Sequence, residues 1–211
     1  PVYNWKYLKK QKYSWWKERL ICASQYYDAY RLDHLLGFFR IWAIHENETT
    51  AILGHTEPYE GISREELIHL GFDNPRIHWL SQPHIPTWEI ENAIKVSWNN
   101  MAAEKNEHSL DCENSLHDFA CKILNIFCDR IGNEELWNFK KTISGDKEIY
   151  ETVINEQSVS EQVKQKLCQF WRDRCLIEIE KDVFVPAWNY KFSTSWKSLT
   201  GEEQERLSKF F

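Results

Sequence analysis

Arg31 and Asp33 have the types and spacing that could do chemistry. They fall in Tyr30-Arg31-Leu32-Asp33-His34, a short stretch ending in a polar pair before Gly37. It reads as a strand that emerges into a loop. Residues i and i+2 of a strand leave the same face, so both side chains would project together. Barrel enzymes keep their catalytic groups at the C-terminal ends of strands. A guanidinium beside a carboxylate favours the charged form. A carboxylate nucleophile must be ionised, so the pair suits that role better than general acid catalysis. An ordinary ion pair at a strand end accounts for the same spacing, and spacing alone favours it.

Metal and thiol chemistry find less support. The eight His residues are irregularly spaced, and none forms an H-E-x-x-H frame. The six Cys (22, 112, 121, 128, 168 and 175) contain no C-x-x-C pair and no zinc-type spacing. No metal and no cofactor are expected. Cys121 and Cys128 are seven residues apart, as are Cys168 and Cys175. Each pair can lie on one helix face as small buried hydrophobes, which points to the reducing cytosol. The sequon Asn47-Glu48-Thr49 is then accidental.

The elements that must position Arg31 and Asp33 follow from periodicity. Ser14 can cap a helix in which Trp16, Leu20, Ala23 and Tyr27 share a face. Gly37 to Trp42 could open another short helix. Ser63-x-x-Glu66 is a capping box before a helix that Gly71 stops. His78 to Trp88, with prolines at 83 and 86 and another at 75, reads as an extended loop. Glu89–Met101 and Ser115–Arg130 read as helices, the second with Leu116, Phe119, Ile123 and Phe127 on one face and Gly132 closing it. Ser158-x-x-Glu161 is a further capping box, followed by Val163, Leu167, Phe170 and Trp171 at helical spacing. Residues 176–180 and 183–186 read as a β-hairpin around Lys181-Asp182. Thr200 caps a closing helix, Leu199 to Phe211, with Glu202 and Glu203 in its first turn. The expected fold class is mainly α with a few strands.

Composition narrows the partners. The chain has 211 residues, 42% of them hydrophobic and 27% charged, enough to bury one core. Lys plus Arg number 26 against 32 Asp plus Glu, a net charge of −6. No basic run accompanies it, so nucleic acid is a poor partner. No apolar stretch nears the ~20 residues of a membrane span. The start, Pro1-Val2-Tyr3, is neither a signal peptide nor an initiator methionine, so the chain is expected to be a piece of something longer. Aromatics reach 15%, with eleven Trp against seven Gly. Aromatic faces stack on sugar rings, and they also serve as core mass.

The motifs around Arg31 and Asp33 change the balance between catalysis and an ordinary ion pair. Tyr3-Asn4-Trp5, then Trp15-Trp16-Lys17-Glu18-Arg19, then Arg31-Leu32-Asp33-His34, then Gly37-Phe38 and Trp42 stand in order with sensible spacing. This run resembles the 4-α-glucanotransferases of glycoside hydrolase family 77, the amylomaltases or disproportionating enzymes. Leu35-Leu36-Gly37-Phe38-Phe39-Arg40-Ile41-Trp42 looks like the type-two branch, whose members carry a long insertion in a (β/α)8 barrel. Ser63 to Leu67, Arg76-Ile77 and Pro83-His84-Ile85 also look like it. The resemblance implies a partial catalytic barrel segment over 1–86, a helical insertion over 87–186 and a return to the barrel over 187–211. A whole barrel needs ~250 residues.

By that resemblance Asp33 is the catalytic nucleophile, Arg31 its charge-stabilising partner and His34 a contact to a substrate hydroxyl. The partners implied are a malto-oligosaccharide donor and a glucan acceptor, the mechanism a retaining double displacement and the location cytoplasmic. Exposed edges of a partial barrel invite association, so a homo-oligomer stays open. The family's second carboxyl, a Glu in a Gly-Glu-Asp-type segment, has no counterpart here. Gly201-Glu202-Glu203 is nearest, but it opens a helix. The chain alone is therefore expected to be inactive. Trp98 and Trp137 of the helical body are candidates to stack on a branched glucan. Two other readings remain: a non-catalytic helical module for carbohydrate binding or assembly, and a hydrolase of the same clan.

Overall fold

The computed structural model describes residues 3–105, 113–154 and 157–211. Cys112, and the capping pair expected at Ser158, lie outside the residues and side chains described. The chain forms two compact units, Pro1–Ala43 with Thr56–Tyr59, and Ile44–His55 with Glu60–Phe211. These units divide the chain elsewhere than the segments 1–86, 87–186 and 187–211 read from the resemblance.

The first unit holds α1 (Trp5–Lys10), α2 (Ser14–Ser24), a 3-10 turn (Leu35–Phe38) and β1 (Ile41–Ala43), which pairs with β2 (His55–Glu57). Asn4 caps α1 by accepting from the Tyr7 amide at 2.9 Å. Ser14 does not cap α2. It is the first helical residue, and Tyr13 in the left-handed region (φ 58°) precedes it without a side-chain cap. Neither helix buries a residue. The expected face of α2 is accordingly open: Leu20 is 45% and Tyr27 66% exposed.

The second unit carries β3 (Ile62–Ser63), α3 (Arg64–His69), α4 (Asn74–Ser81), β4 (Ile85–Pro86), α5 (Thr87–Lys105) and α6 (Glu113–Phe127). It continues with β5 (Cys128–Arg130), β6 (Leu136–Phe139), α7 (Asp146–Glu151), α8 (Gln157–Arg172), β7 (Leu176–Glu180), β8 (Val183–Pro186), α9 (Thr194–Lys197) and α10 (Gly201–Ser208). Two antiparallel sheets, ordered β3-β8-β7 and β4-β6-β5, each support one core.

The larger core forms where α5, α6 and α8 pack together on β4-β6-β5. Leu116, Ala120, Ile123, Leu124 and Phe127 of α6 meet Ile90 and Ile94 of α5 and Val163, Leu167 and Trp171 of α8. These are the i, i+3, i+4 positions of amphipathic helices. Each fully buried Leu or Ile contributes ~1.5–3 kcal/mol. The smaller core joins α3, α4, α9 and α10 to β3-β8-β7 through Leu67, Phe72, Ile77, Phe184, Trp196 and Leu207.

Local signals succeed where their partners lie three residues away. Ser63 and Glu66 form the capping box, with Glu66 N donating to Ser63 Oγ at 3.2 Å and Ser63 N to Glu66 Oε2 at 2.8 Å. Gly71 follows at φ 89°, a conformation that costs a side chain. Thr200 and Glu203 form the second box. The β7–β8 hairpin is present, with Asp182 at φ 62° in its turn.

Three expectations are corrected. Pro75 sits in the first turn of α4, where its missing N–H costs nothing. Asp73 caps that helix by accepting from Arg76 N at 2.8 Å. His78–Ser81 is therefore helix, Ile85–Pro86 is a strand, and Thr87–Trp88 open α5. Helix α6 ends at Phe127, and Cys128–Arg130 leave it to pair with β6. The buried ladder position of Cys128 opposite Phe139 outweighs three more helical residues. Gly37–Trp42 splits into the 3-10 turn and β1 instead of forming an α-helix.

Cys128, Cys168 and Cys175 are buried thiols, while Cys22 is exposed. Burial pushes the Cys168 thiol up to about 11 and the Cys175 thiol up to about 12. Both therefore stay protonated and act as core mass.

The segment before β2 is tied to α7 and α8. Gly145 lies against the backbone of Asn47, where a Cβ would meet Asn47 O at 2.0 Å. Asp146, fully buried, accepts from Thr49 N at 2.6 Å, Thr49 Oγ1 at 2.9 Å and Arg172 Nε at 2.9 Å, and pairs with Arg172 Nη2. Asn47 Nδ2 donates to Ser144 Oγ at 2.6 Å, so both polar members of the sequon make internal bonds.

His84 packs on Trp79, ring centroids 4.0 Å apart, with His78 5.9 Å away. Burial, and then the neighbouring His78, lower its pKa to about 4. The unfolded chain thus binds a proton near the ordinary value of about 6.5 that the fold rejects. Stability is full above pH ~6.5 and falls as pH drops toward 4. His84→Gln is expected to flatten that part of a denaturation-midpoint-versus-pH curve, and an unchanged slope would overturn the assignment.

Candidate functional site

Residues 25–34 leave α2 and run without a ladder partner to the 3-10 turn. The strand expected over Tyr30–His34 is not formed. The backbone nonetheless keeps a two-residue alternation. Tyr30 and Leu32 line an apolar cavity of about 500 Å³ with Trp5, Trp16, Leu20, Leu35 and Phe38. Arg31 and Asp33 are not among its lining residues, and they form an ion pair, Nε to Oδ1 2.7 Å. Their side chains are 87% and 73% exposed. A strand needs a neighbour to take its N–H and C=O groups, and none of the described residues supplies one.

His34 is placed by an unusual backbone. It lies in the left-handed region at φ 53°, at the head of the 3-10 turn, and its carbonyl accepts from Gly37 N at 2.9 Å. Its ring lies over Gly37, where a Cβ would meet His34 Cδ2 at 2.2 Å. Gly37 is therefore required for the ring to sit where it does. The structure brings Arg31 and Asp33 together directly and orients His34 beside them in sequence, through Gly37.

An aromatic cluster braces the turn. The Tyr3 ring stacks on Phe38 at 5.8 Å and a 3° interplanar angle, and packs against Trp5 and Trp16 at 5.4 and 5.6 Å. Trp5 Nε1 donates to Phe38 O at 2.6 Å. Trp16 Nε1, by contrast, is buried with no acceptor among the described residues. Such orphans are uncommon, and each calls for a physical account.

The nearest sequence match to the expected second carboxyl, Gly201-Glu202-Glu203, opens α10, and its Glu203 is committed to other bonds. It takes Arg76 Nε at 3.1 Å and Nη2 at 3.0 Å, and accepts from Thr200 N at 2.7 Å. The Arg76 bonds hold its carboxyl below the ordinary range. It is a structural clamp and a cap.

Trp137, a candidate to stack on a glucan, is corrected. Trp137 is 2% exposed, sits on the inward face of β6 and donates Nε1 to Thr87 Oγ1 at 2.9 Å. Trp98 packs against the same core and stacks on Phe119 at 5.9 Å. The signal was available: Trp137 and Phe139 are two apart on one strand face, with Leu136 and Asn138 between and outside them.

One cluster went unread. His117 and Cys121, four apart on α6, meet Glu135 from the turn before β6 with their ligand atoms within 4.8 Å of one another. The i, i+4 spacing was visible in the sequence, but the third member, fourteen residues past Cys121, was not.

Comparison with known proteins agrees with the motif run. Residues 1–82 match the glycoside hydrolase family 77 model, described as 4-alpha-glucanotransferase. The rice 4-alpha-glucanotransferase DPE2 is 26% identical over 220 aligned residues, covering 100% of this chain and 20% of that protein. The Chlamydia pneumoniae 4-alpha-glucanotransferase is 57% identical over 42 residues, 20% of this chain and 8% of that one. The potato chloroplastic/amyloplastic 4-alpha-glucanotransferase is 43% identical over 54 residues, 26% of this chain and 9% of that one. No solved structure matches. The chain spans about a fifth of the rice protein. With the motif run and the match in the same N-terminal stretch, the chain resembles a segment of the 4-alpha-glucanotransferases of glycoside hydrolase family 77.

Proposed function

We propose that the chain is the nucleophile-bearing segment of a cytoplasmic 4-α-glucanotransferase of the type-two branch. The whole enzyme moves α-1,4-glucosyl units from malto-oligosaccharides to glucan acceptors by double displacement. Asp33 attacks the anomeric carbon and forms a glycosyl-enzyme. Arg31 pairs with that carboxylate and orients it. His34 contacts a substrate hydroxyl. An acid/base carboxyl from elsewhere in the enzyme protonates the leaving oxygen and then deprotonates the acceptor. The observation that carries this reading is the coincidence of the Arg31–Asp33 pair and its flanking aromatic motifs with the 82 matched residues.

The first unit also supports a segment reading. Among the described residues its two helices bury nothing, the Tyr30–Asp33 stretch has no ladder partner, and Trp16 Nε1 has no acceptor. Each is satisfied if further barrel strands and helices pack on this face. In the complete protein, residues 87–186 then supply the helical insertion and residues 187–211 the return to the barrel.

Product analysis tests the activity. The complete protein incubated with maltotriose is expected to give both shorter and longer glucans with no net gain of reducing ends. Net reducing-end gain would make it a hydrolase and overturn the transferase reading. The 211-residue chain alone is expected to convert neither maltose nor maltotriose, and detectable conversion would overturn the segment reading.

A further inference from the structure

We propose that His117, Cys121 and Glu135 form a zinc site on the helical body, with Glu91 as the carboxylate that orients His117. The proposal is independent of the glucanotransferase reading.

The geometry is close to what a tetrahedral ion needs. With zinc–sulfur near 2.3 Å and zinc–nitrogen near 2.0 Å, two ligands of one ion lie roughly 3.5 Å apart. His117 Nε2 and Cys121 Sγ are 3.6 Å apart. His117 Nε2 and Glu135 Oε2 are 3.9 Å apart, and all three ligand atoms lie within 4.8 Å of one another.

The tautomer is set as well. Glu91 Oε1 lies 2.7 Å from His117 Nδ1. An ionised carboxylate only accepts, so Nδ1 carries the proton and Nε2 presents its lone pair to the cluster. A histidine whose far nitrogen donates to a carboxylate is the usual arrangement behind a metal ligand.

Glu135 is held from two sides. Thr87 Oγ1 donates to Oε2 at 2.7 Å, and Trp137 Nε1 donates in turn to that hydroxyl. Thr87 and Trp137 are each 2% exposed, so this support is rigid. Arg130 pairs with Oε1 and leaves Oε2 facing His117. Glu91 and Asp118 act on the thiol from one side and Arg130 from the other, and Arg130 is itself paired with Glu135. His117 is 42% and Glu135 51% exposed, so an ion can enter. Thiolate and imidazole ligands select zinc over magnesium or calcium. Three protein ligands leave a fourth position for water. Binding would tie α5, α6 and the β5–β6 turn together, and it displaces the Cys121 thiol proton to solvent.

The test uses the 211-residue chain stripped with a chelator and titrated with zinc chloride against a chromogenic zinc indicator. Cobalt(II) in place of zinc reports thiolate coordination by its charge-transfer band. One equivalent of zinc is expected, with an upward shift in Tm on binding and no such shift with magnesium. Cys121→Ser should abolish the cobalt charge-transfer band, and Glu135→Gln should weaken zinc binding by at least about tenfold. Glu91→Gln should weaken it about 10–100-fold by loosening the imidazole. Cys22→Ser and Cys112→Ser should leave binding intact. Substoichiometric uptake overturns the site. So does a charge-transfer band that survives Cys121→Ser or disappears in Cys22→Ser. If Cys121→Ser fails to fold by circular dichroism, Glu91→Gln and Glu135→Gln decide: unchanged affinity in both overturns the proposal.

Discussion

Asp33→Asn in the complete enzyme is expected to lower glucan transfer by on the order of 10⁴-fold or more, about 5.5 kcal/mol of lost barrier lowering. The amide keeps the shape of the carboxylate and most of its hydrogen bonding. It removes the negative charge and the nucleophilic oxygen, so no glycosyl-enzyme forms. Binding of malto-oligosaccharide should change far less than kcat, because the pair is exposed and substrate affinity comes from a larger surface. The readout is initial transfer rate and KM on maltotriose. Near-normal kcat would remove Asp33 from the mechanism and leave Arg31–Asp33 as an ordinary surface ion pair. Arg31→Ala, which spares the carboxylate and removes its partner, should fall between the two.

The largest expected effect on stability is at Asp146. Asp146→Ala should cost about 3–5 kcal/mol, because it leaves Arg172 without its counter-ion and two Thr49 donors without acceptors. Asp146 is fully buried and Arg172 is 19% exposed, so solvent recovers little of the loss. Thr49→Val removes the hydroxyl's bond to Asp146 and its longer bond from Arg172 Nη2 at 3.3 Å, and should cost only about 1–2 kcal/mol. The guanidinium midpoint at unchanged m-value gives both numbers. A loss below 1 kcal/mol for Asp146→Ala would mean that the ion pair is offset by its desolvation and that the segment around Thr49 is held by its other contacts, such as Asn47 to Ser144.

How much of this was legible depends on how far apart the partners stand in sequence. The capping boxes at Ser63 and Thr200 and the β7–β8 hairpin were readable, because each is decided within a few residues. The amphipathic faces of α6 and α8 were readable for the same reason. The end of α6 was misread, because the pairing of Cys128 with Phe139 competes across eleven residues and helical periodicity does not show it. Pro75 misled in a different way: a proline opens a helix as readily as it breaks one, and Asp73 before it was the deciding cue.

At the candidate site, the Arg31–Asp33 pair was legible from i, i+2 spacing, and the pairing is observed. The strand that should carry it was not decidable, because a strand is a property of two chains of backbone, and sequence shows only one. The buried face of Trp137 was obscured by composition, since an abundance of tryptophan says nothing about which way each points. The His117–Cys121–Glu135 cluster draws on a helix and a turn, with Glu91 from another helix, so its convergence exists only after α5 and α6 have packed.

The pairing of β3 with β8 has a consequence for how the body assembles. Arg64 N donates to Asp182 O, and the two side chains form an ion pair, across 118 residues of chain. Closing a loop of that length costs about 4 kcal/mol in chain entropy, and the return is a two-residue ladder. The hairpin β7–β8 and the α5–α6 pair close over far shorter spans, so they can form while Ile62 is still free. The β3 edge is then the late step in folding and the early step in unfolding. Substitutions that strengthen it should lengthen the lifetime of the folded body while leaving its folding rate almost unchanged.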